Sequence, residues 1–94
     1  MFGFLFTTSK WNREPAQREL ATLILNVAVE NADNKLISVN IRDVFKIMNA
    51  NGWSMKETSD RCVHAVSMIK TMAPPNVYMA AKREGQALYH ALRA

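Results

Sequence analysis

One cysteine among 94 residues, Cys62, excludes an internal disulfide framework and fits a chain that works in a reducing cytosol. The two histidines, His64 and His90, fall on different expected helices, and no pair of His or Cys has the spacing of metal ligands. No glycine-rich loop precedes a helix, so no phosphate cradle is expected. No serine or cysteine sits in a nucleophile motif. No apolar run approaches the roughly 20 residues that span a bilayer. The opening Met-Phe-Gly-Phe-Leu-Phe is too short for the apolar part of a signal segment and has no basic residue before it, so it is expected in the mature fold. There is no internal repeat, linker or low-complexity stretch. Together these absences set the expectation of one non-enzymatic cytoplasmic domain over residues 1–94, with no cofactor, no metal and no membrane span.

What is present is a helical domain with an uneven charge. Apolar residues make up 49% of the chain, which argues against disorder. At this length folding buries roughly 60–65% of the unfolded surface, so stability is modest. The net charge is +4. Residues 1–33 carry three basic against four acidic side chains, net −1, whereas residues 34–94 carry nine against four, net +5. An excess of that kind suits a polyanionic partner, and it is also an ordinary solubility device.

The organising stretch is residues 38–72. Asn40 is expected to cap a helix by accepting from the Asp43 amide, with Val39 and Val44 as a hydrophobic staple. Ile41, Val44, Phe45, Ile47 and Met48 then recur at helical spacing to about Asn51. Gly52 can take the left-handed conformation that closes a helix. Ser54-Met-Lys-Glu57 reads as a capping box two residues later, so the helices on either side meet at a sharp corner. The second of them is expected to run from Met55 to about Met72, before Pro74 and Pro75. Met55, Thr58, Cys62, Val66 and Ile69 form its inner face, which makes Cys62 an inert small hydrophobe. Lys56, Glu57, Asp60, His64, Ser67 and Thr71 form its outer face, with Arg61 on the flank. Glu57, Asp60 and His64 share a side at separations of three and four; a solvated mixed-charge face is the favoured reading of that trio over a weak cation site.

Before this stretch, Phe2, Phe4 and Phe6 alternate with the period of a short strand, and Trp11 follows. The aromatic arm over 1–11 either seats on a partner or lies over its own core. Pro15 suits the first turn of a helix to about Asn31, with a wide stripe of Leu20, Leu23, Ile24, Val27 and Ala28. Leu36 to Val39 is a brief strand or a lead-in to the Asn40 cap. In the tail, Val77-Tyr78-Met79 is either a short strand before a helix over Ala81–Arg93, with Leu88, Ala91 and Leu92 inward, or part of one helix capped by Asn76.

The element order, with the sharp corner and the closing Tyr78-Met-Ala-Ala-Lys-Arg-Glu-Gly-Gln-Ala-Leu-Tyr-His-Ala-Leu92, resembles winged helix-turn-helix DNA-binding domains over about residues 15–94. With the short N-terminal strand read from Phe2, Phe4 and Phe6, the resemblance implies a mainly α, winged-helix-like fold of four helices with a candidate wing around Pro74-Pro75-Asn76. It also implies that the helix from Met55 reads a major groove, with Lys56, Ser59 and Arg61 near bases or phosphates and Lys70, Lys82 and Arg83 on the backbone. The expectation that follows is a small dimeric regulator of transcription that binds double-stranded DNA. The alternative is a helical adaptor or inhibitor that binds another protein through an interface of Phe2, Phe4, Phe6 and Trp11.

Overall fold

Why these residues form helices is visible at each boundary. The computed structural model describes residues 10–94, which fold into α1 (Pro15–Ala32), α2 (Ile41–Asn51), α3 (Met55–Lys70) and α4 (Pro75–Arg93). No strand occurs among the described residues. The expected strand over Phe2, Phe4 and Phe6 lies outside them. Pro15 opens α1, where its missing N–H is not needed. At α2 the Asn40 side chain accepts from the Arg42 amide at 2.9 Å rather than from Asp43, whose amide donates to the Asn40 backbone carbonyl at 3.0 Å.

The corner forms as the sequence implies. Gly52 has φ +66, a left-handed conformation, and the Trp53 amide donates to the Met48 carbonyl at 3.0 Å. Ser54 then accepts from the Glu57 amide at 3.0 Å and starts α3. The Glu57 carboxylate bonds to Arg61 instead of returning to Ser54. Helix α3 stops at Lys70, two residues short of the expected Met72.

Residues 75–93 form one continuous helix, so the candidate wing and its strand over Val77–Met79 are not formed. Pro74, not Asn76, occupies the N-cap position. The reason is periodicity: Val77, Ala81, Glu84, Leu88 and Leu92 recur every three or four residues, and all are buried. Ala91, expected inside, is exposed.

Helices α3 and α4 make an antiparallel hairpin, with Lys70 near Tyr78 at its closed end and Arg93 against Asp60 at its open end. Helix α1 lies along one side of the hairpin and buries Leu20, Ile24 and Ala28. Because α3 is packed by both α1 and α4, its buried arc is wider than one stripe. Thr58, Cys62, Val66 and Ile69 are inside as expected, Ser59, Arg61 and Ala65 join them, and Met55 is left half-exposed. Helix α2 packs on α1 through Val44 and Ile47. The buried Glu84 carboxylate ties α4 to it by accepting from the Val39 amide at 2.6 Å, just ahead of the α2 start.

Candidate functional site

The most elaborate polar cluster surrounds Arg61, and it faces inward. Glu57 and Arg61 stand one helical turn apart, so the guanidinium meets the carboxylate through Nε and Nη2, both at 2.9 Å. Nη1 donates to Glu14 at 2.8 Å and to Gln17 at 3.2 Å, and the Gln17 amide donates to the Arg61 carbonyl at 2.9 Å. The guanidinium carbon also lies over two aromatic rings, 4.5 Å from the Trp11 ring centre and 4.0 Å from that of Trp53. Arg61 is 4% exposed. It joins the segment before α1, the start of α1, the Gly52 corner and α3, and it has no donor turned toward solvent for a phosphate. Ser59 is fully buried; it donates to the Lys56 carbonyl at 2.6 Å and accepts from Arg93 at 3.1 Å. Two of the six residues expected to meet DNA are therefore enclosed.

The other four are exposed and divide into two sets. Lys56, Val63 and Lys70 stand seven residues apart, two turns or about 10 Å per step, so they line one edge of α3. Lys82 faces that edge across a cleft of about 280 Å³ whose other walls include Val66, Ser67, Tyr78 and Gly85. The floor is apolar, and Val63 is 51% exposed on its rim. The Lys70 ammonium lies 5.6 Å from the Tyr78 ring centre. Among the described residues Lys56, Lys70 and Lys82 have no carboxylate within ion-pair distance. Arg83 stands apart from them, about 100° further round α4 than Lys82.

Trp11, expected to meet a partner, packs on its own body: besides Arg61 it meets the His64 ring edge-on at 5.3 Å. Phe2, Phe4 and Phe6 as interface residues lie outside the described residues. Burial and the nearby Arg61 charge hold the His64 imidazole below its ordinary pKa, and its Nε2 lies 2.7 Å from Asn12 Oδ1. The trio of Glu57, Asp60 and His64 has its acids engaged, Glu57 by Arg61 and Asp60 by Arg93. Among the described residues no group of three or more His, Cys, Asp or Glu is placed to hold a metal ion. Burial pushes the Cys62 thiol up to about 12, far from the range of a reactive thiolate. No helix among the described residues is long and apolar enough to cross a membrane.

Sequence reasoning missed Gln17, Trp53, Glu84 and Gly85 as positioning residues. Gln17 carried a usable signal: it stands three residues before Leu20 on the apolar stripe of α1, where a polar side chain requires a buried partner. A second exposed feature is the loop before α2. The Asn31 side chain clamps the Ile37 backbone with two hydrogen bonds, at 2.9 and 3.0 Å, and holds Leu36 99% exposed beside it. Comparison with known proteins finds no family model, no curated protein and no solved structure that matches this chain.

Proposed function

We propose that this chain is a small non-enzymatic protein-binding module, an adaptor or inhibitor, that meets its partner through the open side of the α3–α4 hairpin. The observation that carries this reading is the half-exposed Val63 beside an apolar cleft, framed by lysines without carboxylate partners. An apolar centre within a polar, solvent-accessible rim is the usual anatomy of a protein interface. A helix that reads a major groove has to project from its domain. Here α3 is clasped by α1 and α4, and Arg61 and Ser59 are inside.

The DNA-binding reading, a dimeric regulator, keeps one favourable observation, since Lys56, Lys70 and Lys82 share a side. Phosphate contacts need only the cations, however, and the apolar floor between them gains nothing from a duplex backbone. The test is selection of helical peptides from a display library on the full chain, followed by measurement of each binder on Val63→Glu. Val63 is half-exposed, so the substitution should change stability by no more than about 0.5 kcal/mol. The reading expects binders that weaken at least about tenfold on the variant, equivalent to about 1.4 kcal/mol. It fails if no binder responds to Val63, or if random duplex DNA binds at low salt and replacing Lys56, Lys70 and Lys82 by Glu abolishes that binding.

A further inference from the structure

We infer that the partner of this cleft is an acidic amphipathic helix, an inference that rests on the protein-binding reading above. The hairpin has two long sides. Helix α1 occupies one, burying Leu20, Ile24 and Ala28 together with the Gln17 amide. The other side is the cleft, lined by α3 and α4 alone. A groove between two antiparallel helices accepts a third helix through anchors at i, i+3, i+4 and i+7, and a helix seated there would complete a bundle with α1 on the far side. No strand edge among the described residues offers the alternative of an added strand.

Gly85 shapes the floor. A Cβ there would overlap Val66 Cγ2, so the two helices approach closely and the Val66 side chain fills the space beside Gly85 at the base of the cleft.

The charge selects the occupant. Lys70 and Lys82 flank the apolar floor from opposite helices, and Lys56 continues the same edge of α3. All three lack carboxylate partners among the described residues, so a helix with Asp or Glu bordering its apolar stripe supplies the missing charge on both rims. A second copy meeting this face with its own would set Lys70 and Lys82 against their counterparts, a like-charge arrangement that disfavours a dimer here.

The experiment uses the same display selection on the full chain and reads the charge of those peptides that weaken on Val63→Glu. They should carry net negative charge, with acidic residues bordering an apolar i, i+3/i+4 stripe. Their affinity should fall at least about tenfold on the Lys70→Glu/Lys82→Glu double variant and recover on that variant when the peptide's acids are changed to Lys. Val63-sensitive peptides that are neutral or basic, or that bind the double variant unchanged, overturn the acidic partner and leave the protein-binding reading standing. An absence of Val63-sensitive peptides overturns the reading beneath it. A random DNA duplex that displaces the selected peptides at 50 mM salt and is lost on the double variant overturns both in favour of nucleic acid.

Discussion

At the scale of single residues, Arg61 separates what a linear pattern shows from what packing decides. Its place on the flank of α3 is legible from helical spacing, but its burial is not. That burial depends on Trp11, Glu14 and Gln17, which lie 44 to 50 positions away in the chain and meet it only once α1 docks. Arg61→Ala removes the centre of this cluster. Both carboxylates left behind are more than a third exposed and can rehydrate, so the loss should fall at the lower end for a broken buried pair, about 3 kcal/mol. Arg61→Lys should also destabilise, since an ammonium cannot reproduce the fork between two acids while stacked on two rings. Urea midpoints check both, and an unchanged midpoint would show the cluster to be decorative.

His64 gives a pH signature at the same scale. Because its folded pKa lies below 6.5, the unfolded chain binds more protons over the window just beneath that value. Its contribution to stability is therefore complete above pH 6.5 and is lost as the pH falls toward the folded pKa. Groups facing the ring are Arg61, whose charge adds to the effect, and the neutral Asn12 and Trp11. His64→Gln should lose less stability than the parent between pH 7 and 5 in denaturant titrations; parallel curves would contradict this.

At the scale of elements, the boundaries governed by local chemistry were readable. Asn40, Gly52 and Ser54 each act within three or four residues of themselves, so the α2 start, its stop and the α3 start follow from side-chain type alone. The tail was ambiguous because Val77-Tyr78-Met79 is short enough to suit a strand or a helix, and both readings leave a weakening glycine, Gly85, inside a helix. Its reason for being in α4 is across the hairpin, at Val66, and no local window contains it. Gly85→Ala tests this. Alanine gains about 0.5–1 kcal/mol of helix propensity over glycine, yet overpacking against a neighbouring helix costs typically about 1–3 kcal/mol. The net expectation is destabilisation, seen as a lower melting temperature, with much of it recovered in Gly85→Ala/Val66→Ala, where the overlapping methyl is gone. A single variant more stable than its parent would mean that the helices can separate freely.

At the scale of the whole molecule, the +5 excess of residues 34–94 is the feature that most favoured nucleic acid in the sequence, and the fold redistributes it. One of the nine cations, Arg61, is enclosed by acids, and Lys35 and Arg93 are paired with Glu30 and Asp60; of the six without an ion pair among the described residues, Lys70 and Lys82 line the cleft, Lys56 continues the same edge of α3, and Arg42, Lys46 and Arg83 do not line it. Net charge is additive along a chain, but which charges are spent inside it depends on tertiary contacts. The sequence therefore indicated a basic helical body without indicating the face proposed to meet a partner. The most direct test of that face is amide chemical-shift mapping of the full chain titrated with a display-selected peptide. The account predicts shifts concentrated at Val63, Ser67, Lys70, Tyr78, Lys82 and Gln86; shifts centred instead on Trp11 and Trp53, or on the Leu36 loop, would contradict it.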